Sequence, residues 1–389
     1  MDLRMHYAGL DVHKKTISYC VRRADGRIVQ EGMITASREA IDVWRSKLPA
    51  PWIAGMEATM FTSWIYDHLT AGGGQVKVAH SAMLKAIVSG KRKNDAIDAR
   101  KIADLLRCDY FPECHMVGRE LRDRRRVLRY RNLLVRQVVR MKNRAGSLLM
   151  ETGIPYNKKK LHQKRYFAAL LKELAPEMPE SLPYLLGLNR GSIEFLDAMD
   201  RQLMKMLRQD LLLRERVERL CTIPGVGPVV ALSWVLEVGE VERFSSVKKV
   251  ISYCGLCSAE TSSAGQQQRS PISKQRNKHL QSVLVEATHL APRYHPDLVL
   301  VSEREKQRGN RNRATLAVAR KLVAYLFAVA ADEGPTGKKG RAPTIPAPRA
   351  AWRSTEVTYQ AARTRGLPAS PVMDWAKRAH SLRLPRVLF

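Results

Sequence analysis

Residues 7–34 read YAGLDVHKKTISYCVRRADGRIVQEGMI, and the architecture turns on this stretch. Tyr7 to Asp11 is a short apolar run of strand length, Thr16 to Val21 alternates in character with a period of two, and Ala24-Asp25-Gly26 is an Asp-Gly hairpin turn. Ile28 to Ile34 supplies a third strand, so the chain opens on an antiparallel meander. Working outward, Ala40, Ile41, Trp44 and Leu48 recur at helical spacing, and Trp52 to Met56 is a buried strand ending at Glu57. Ser63 to Leu69 reads as a helix, Gln75 to Ala79 as a strand, and Asn94 to Leu106 as a helix rich in good helix formers. A meander followed by alternating helices and strands predicts an α/β domain with a mixed sheet.

The whole chain carries 67 Lys and Arg against 37 Asp and Glu, a formal net charge of +30 over 389 residues. Such an imbalance speaks of partners rather than fold. Polyanions gain affinity for a basic surface by releasing their counterions, so nucleic acid is the expected partner. With 45% hydrophobic residues the chain can bury at least one full core, and its length suggests two or three domains. The sequence reading finds no stretch near the ~18 apolar residues of a membrane span. Met1 to Tyr7 also lacks the apolar core of a signal peptide, so a soluble, cytoplasmic protein with no membrane partner is expected. Cys254 and Cys257 make one Cys-x-x-Cys, but no second pair completes a zinc site, and the six scattered cysteines read as buried thiols.

From Val117 to Arg165 sixteen basic residues face three acidic ones. Leu121, Val127, Leu128, Leu134, Val138, Met141 and Leu148 recur at roughly helical spacing, which predicts a long basic helix over Leu121–Leu149. A solvated face would interleave Glu with Arg for local pairing, yet Asp123 is nearly alone. Arg125, Arg129, Arg136, Arg140 and Lys142 are therefore candidate nucleic-acid contacts. Lys158 to Lys160 mark a loop, and Ser192 is a candidate cap for a second long helix running to Leu220. Its Leu196, Met199, Leu203 and Met206 follow the three-four-three spacing of a short coiled coil, or equally of an ordinary buried face. Ile223-Pro224-Gly225-Val226-Gly227 precedes the apolar run Val229–Val238, a turn of the helix-hairpin-helix kind. Gly225 and Gly227 would let backbone N–H groups approach a phosphate, or simply make a tight turn. Beyond about residue 333 the prolines with Lys338, Lys339 and Arg341 read as a basic linker, and the tail with Trp352 and Trp375 as an element that docks on a partner.

Asp11, Glu57, Asp95 and Asp98 are the residues with chemistry in them. Phosphodiester cleavage by two divalent ions needs carboxylates that hold the metals about 3.5–4 Å apart, one near the nucleophile and one near the leaving oxygen. Asp11 and Glu57 end strands and can meet at one sheet edge, while Asp95 and Asp98, three apart, share a helix face. An acidic cluster inside a basic molecule is costly unless cations occupy it. Taken singly, each acid has an ordinary alternative as a surface carboxylate or, for Asp95, helix-start chemistry after Asn94.

Gly9-Leu10-Asp11-Val12-His13-Lys14, Met56-Glu57-Ala58-Thr59, Lys93-Asn94-Asp95-Ala96-Ile97-Asp98-Ala99 and the Ile-Pro-Gly-Val-Gly segment follow one another as signatures. In that order they resemble the DEDD transposases with a second catalytic serine, encoded by bridge-RNA-guided insertion sequences, over roughly residues 6–330. The resemblance implies an RNase H-like (RuvC-like) domain over 1–115 and a basic helical and coiled-coil region over 116–218. It further implies a mainly helical transposase domain over 219–332, with a tail over 333–389. By position it implies that Ser262, within Glu260-Thr261-Ser262-Ser263-Ala264-Gly265, is the nucleophile, with Ser263 the nearest rival. Chemistry alone would read two serines beside a glycine as a polar turn. Lys274, Arg276 and Lys278 follow and are expected to grip the backbone of the nucleic acid. Arg276 stands where such transposases often carry glycine.

The implied activity is recombination of donor and target DNA at sites chosen by a structured bridge RNA. It would use Mg²⁺, two ions at the assembled site, and a phosphoserine intermediate. The implied assembly is a homo-oligomer, dimer or tetramer, with active sites shared between protomers, working at the prokaryotic nucleoid. A hydrolytic nuclease or Holliday junction resolvase would need the four acids and no serine. An architectural nucleic-acid binder would need neither.

Overall fold

The computed structural model describes residues 4–88, 94–174, 179–263, 266–272 and 275–331, with backbone only at 174, 259–263 and 266–271. The chain divides into two compact units, the second beginning at Glu120. In the first, β1 (His6–Val12), β2 (Thr16–Arg23) and β3 (Ile28–Thr35) form the expected meander. There Gly26 has φ +91°, and the Arg27 N–H donates to the Asp25 carboxylate at 2.9 Å. The chain continues through α1 (Arg38–Ser46), β4 (Trp52–Glu57), α2 (Thr62–Ala71), β5 (Gln75–Ala79), α3 (Ser81–Val88) and α4 (Asp95–Arg107). The strand order is β3-β2-β1-β4-β5, antiparallel within the meander and parallel from β1 to β4 to β5. Tight turns produce the antiparallel pairs, whereas α1 and α2 return the chain for parallel ones. Helix α3 was not foreseen: Leu84 is its one buried residue, too weak a pattern to read as periodicity.

One face of the sheet carries the main core. Ala8, Leu10, Val12, Ile17, Val21, Ala54 and Met56 pack there with Ile41 and Trp44 of α1 and Ile65 and Leu69 of α2. The other face receives α4 almost in backbone contact. A Cβ on Gly9 would lie 2.1 Å from the Ala99 carbonyl oxygen and 2.4 Å from the Ala103 nitrogen, so only glycine permits this seat. The mixed sheet followed by helices is the RNase H-like α/β arrangement expected.

The second unit contains α5 (Arg119–Glu151), α6 (Lys164–Leu174), α7 (Ser181–Gln209), α8 (Leu211–Cys221), α9 (Pro228–Val238) and α10 (Val247–Tyr253). A two-stranded ribbon, β6 (Ser258–Ser263) and β7 (Gln266–Ile272), is followed by α11 (Lys278–Ala287), α12 (Pro296–Gln307) and α13 (Arg311–Ala331). Helix α5, about 50 Å long at 1.5 Å per residue, belongs to two cores. Its Leu128 joins the core of α8, α9, α10, α11 and α13, while Ala145, Leu148 and Leu149 pack with Phe167 and Leu170 of α6 and Leu182 and Leu186 of α7.

Several expectations are corrected here. The second long helix begins at Ser181, not Ser192, whose hydroxyl donates back to the Leu188 carbonyl within the helix at 2.9 Å. It breaks at Asp210, where ψ is 118° and the carboxylate caps α8 through the Leu212 N–H. Leu207, rather than the neighbouring Met206 of the proposed stripe, is buried. Gly255 is the left-handed residue after α10, with φ +71°. Ser262 and Ser263 belong to a strand rather than a turn. Helix α13 is long and apolar enough to cross a membrane by length and composition, but Arg320 and Lys321 interrupt its apolar run, and Val318, Ala319, Leu322, Val323 and Leu326 sit in the protein core. Cys20 and Cys254 are buried thiols as expected, and Cys108 is exposed. The tail with Lys338, Lys339, Arg341, Trp352 and Trp375 lies outside the described residues, as do Lys93 and Lys274.

Candidate active site

Strand β1 delivers Asp11 at its C-terminal end, and its parallel partner β4 ends on Glu57. Extending their register from Leu10↔Met56 by one step sets the two acids side by side on the face that Gly9 opens to α4. Helix α4 is capped by Asn94, whose side chain accepts the Ala96 N–H at 2.9 Å, and this start carries Asp95 and Asp98 in the first turn. The chain after Glu57 is knit tightly. Thr62 donates its hydroxyl to the Glu57 carbonyl at 2.8 Å and accepts the Thr59 N–H at 2.7 Å, while Ser81 donates to the Ala58 carbonyl.

Asp11 and Asp95 converge on a residue that the sequence reading did not single out. His13 Nε2 lies 3.2 Å from Asp11 Oδ2 and 3.4 Å from Asp95 Oδ2, and one donor atom from each of the three side chains lies within 4.8 Å of the others. The available signal was position, because His13 stands two residues past Asp11 and strand alternation returns it to the same face. Asp98 is turned toward Lys101, whose ammonium is 3.7 Å from Oδ1 and also donates to the Val88 carbonyl. Neither Glu57 nor Asp98 belongs to the tight three-residue group.

The electrostatics follow from crowding. Burial raises the Asp11 carboxyl above its ordinary value; His13 offsets part of this by charge and hydrogen bond, while Asp95 and Asp98 push it further up. The Asp11 side chain is 17% exposed and that of Asp95 48%, so the cluster opens to solvent on the helix side. Oxygen donors that repel one another beside one imidazole are a donor set for a divalent cation.

The predicted nucleic-acid contacts separate into two groups. Arg125 and Arg129 are tied to the end of α9, Arg125 mostly buried and Arg129 with its side chain 44% exposed. Arg125 Nε donates to the Leu236 carbonyl, and Arg129 grips both oxygens of Glu237 at 2.8 Å. Arg136 and Arg140 are exposed, and Lys142 is half-buried on the same helix. Gly225, at φ +86°, is required by packing, since a Cβ there would be 2.7 Å from the Ala291 Cα. Gly227 precedes α9 with open space around it. In the ribbon Ser262 pairs with Gln267 and Ser263 with Gln266. Arg276 lies against Gly255, and Lys278 begins α11 exposed to solvent.

Comparison with known proteins covers both units. The model of the DEDD transposase domain of IS110 elements matches residues 8–154, and that of the transposase IS116/IS110/IS902 family matches residues 217–299. A transposase for insertion sequence element IS1328 from Yersinia enterocolitica is 28% identical over 252 residues, 62% of this chain and 71% of that protein. A probable family 20 transposase of Pseudomonas aeruginosa is 25% identical over 60% of this chain and 70% of its own length. The transposase for insertion sequence element IS1111A of Coxiella burnetii is 26% identical over 61% of this chain and 66% of its own. With both matches in order over more than half of its length, the chain belongs to the IS110-type DEDD transposases, enzymes that act on DNA.

Proposed function

We propose that this transposase cuts and rejoins DNA at sites chosen by a structured bridge RNA, using the acid cluster with Mg²⁺ and Ser262 as nucleophile. The observation that carries the metal-dependent step is Asp11, a partly buried carboxylate crowded by Asp95 and Asp98 in a protein of net charge +30. Asp11, Asp95, Glu57 and Asp98 would hold the divalent ions, with His13 beside them. When bound, such ions supply positive charge to the attacking and leaving oxygens of a phosphodiester.

The Ser262 hydroxyl attacks the phosphorus and gives up its proton. The bond to one nucleotide oxygen breaks, that oxygen leaves as a hydroxyl, and the DNA stays joined through a phosphoserine. A freed DNA hydroxyl then attacks the phosphoserine and restores the serine, so bond energy is conserved without a nucleotide cofactor. Ser262 of one protomer works with the acids of another in a dimer or tetramer. Arg136, Arg140, Lys142 and the basic segment around Lys274 and Lys278 hold RNA or DNA by the phosphate backbone. Base pairing in the RNA selects the sites.

The test combines purified protein, its flanking noncoding RNA, Mg²⁺ and labelled donor and target DNA, resolved on a denaturing gel. A protein-linked strand that disappears in Ser262→Ala and persists in Ser263→Ala supports the reading. Cutting that continues in Ser262→Ala without any linked strand would return the enzyme to the hydrolytic nuclease or resolvase class. Strand exchange without RNA would remove the guide.

A further inference from the structure

Glu237 is 1% exposed at the end of α9, yet it carries a carboxylate in the middle of the helical core. Its oxygens accept both arms of Arg129 at 2.8 Å and the Asn277 side-chain amide at 2.8 Å, with Arg125 3.9 Å away. Its backbone carbonyl accepts the Tyr253 hydroxyl at 2.8 Å. Burial alone would raise this carboxyl, but Arg129, Asn277 and Arg125 together hold it below its ordinary value. A well-packed apolar side chain would often be as stable in such a place, so the arrangement invites an explanation in geometry rather than in net stability.

The partners of Glu237 flank the β6–β7 ribbon. Tyr253 ends α10 on the entry side, and Asn277 caps α11 on the exit side, accepting the N–H groups of His279 and Leu280. The two also meet directly, for the Asn277 N–H donates to the Tyr253 carbonyl at 3.2 Å. Just above them Gln281 donates to the Gly255 carbonyl at 2.5 Å and Arg320 to the Leu256 carbonyl at 2.8 Å. Gly255 faces Arg276 so closely that a Cβ would meet its side chain at 2.4 Å. Both legs of the ribbon are thus clamped at the base, and the clamp is tied through Glu237 to the basic helix α5.

We infer that Glu237 is a positioning residue that fixes the angle of the ribbon bearing Ser262. This inference rests on the serine reading above. Ser262 is four residues beyond the start of β6, roughly 13 Å at about 3.3 Å per residue. A tilt of about 5° at the base moves a point at that distance by about 1 Å, and a 1 Å misplacement costs on the order of a hundredfold in rate. Apolar packing resists separation but leaves small rotations cheap. Directional hydrogen bonds from Arg129, Asn277 and Tyr253 do not.

The experiment compares full-length wild type with Glu237→Gln, which keeps the shape but turns an amide N–H₂ toward Arg129 or Asn277. Strand transfer at saturating DNA, the DNA-binding midpoint, and hydrogen exchange of the amides in residues 258–263 and 266–272 are measured. The expected result is faster exchange in the ribbon and a roughly hundredfold lower rate with an unchanged binding midpoint. Asp200→Asn, which breaks the Arg131–Asp200 ion pair elsewhere on α5, is the control and should alter neither ribbon exchange nor rate. Should Glu237→Gln not fold, Tyr253→Phe removes one hydrogen bond while retaining the Arg129 pair, and a roughly fivefold loss is expected. Unchanged ribbon exchange, or an equal loss in the Asp200 control, would overturn the positioning role. If Ser262→Ala keeps full activity, the serine reading itself has failed, and ribbon exchange still reports whether Glu237 holds the ribbon.

Discussion

Asp11 in the sheet unit and Glu237 in the helical unit are both carboxylates taken largely out of water, and they respond in opposite directions. Burial pushes each toward its neutral form. Around Asp11 the neighbours are Asp95 and Asp98 with His13, and the carboxyl stays above its ordinary value. Around Glu237 they are two guanidiniums and an amide, and the carboxyl falls below it. The two sites therefore need different things. Glu237 is neutralised by the chain itself and can serve as a fixed part, whereas the Asp11 cluster retains unbalanced negative charge that a bound cation would relieve.

The sharpest way to break the comparison is to remove each charge and measure both chemistry and stability. Asp11→Asn should lower metal-dependent strand transfer by about a thousandfold, since ligand loss at such a site is worth several kcal/mol. The same variant should melt at or above the wild-type temperature without metal, because a repelled charge is gone; a marked drop would show that Asp11 supports the fold. Glu237→Ala should do the reverse for stability and cost about 2 kcal/mol, as it removes the acceptor of Arg129 and Asn277 and the charge partner of the mostly buried Arg125. An urea titration with an unchanged slope would register the loss as a lower midpoint.

The pH dependence of that contribution follows from sign. The Glu237 carboxyl titrates below its ordinary value of 4.5, so its stabilisation is full above about pH 4.5 and is lost as pH falls through the folded value. The wild-type minus Glu237→Gln difference in stability should therefore shrink on acidification. A difference that grew toward low pH would contradict the assignment.

Metal addition sharpens the other side. At a hundredfold excess over its dissociation constant, Mg²⁺ should stabilise the sheet unit by about 2.7 kcal/mol, and Asp11→Asn should abolish the gain. Calorimetric titration checks this without any activity assay. The smallest effect belongs to α5: Arg136→Ala or Arg140→Ala should each reduce the salt slope of DNA or RNA affinity by roughly 0.9, with little change in sequence preference. Neither should alter the melting temperature, in contrast to substitution of Arg129, which pairs with the buried Glu237.

Much of the sheet unit was legible from local pattern. Period-two strands, the Asp25-Gly26 turn and the Asn94 cap are short-range features, and they put Asp11, Glu57, Asp95 and Asp98 at strand ends and a helix start. Helix α5 was legible for the same reason, although not which of its arginines face outward. Short apolar content hid α3, and the break at Asp210 was invisible because a capping aspartate resembles any other surface acid.

Periodicity and composition over a few residues were enough to give the strands of the sheet unit with α1, α2 and α4, the long basic helix α5, the basic character of the chain and the carboxylates available for chemistry. Only the tertiary structure decided that Gly9 admits α4 against β1, that His13 joins Asp11 and Asp95, and that Arg129 is spent on Glu237 at the foot of the ribbon. Those outcomes come from pairings between residues up to 108 positions apart, and such pairings leave no periodic trace along the chain.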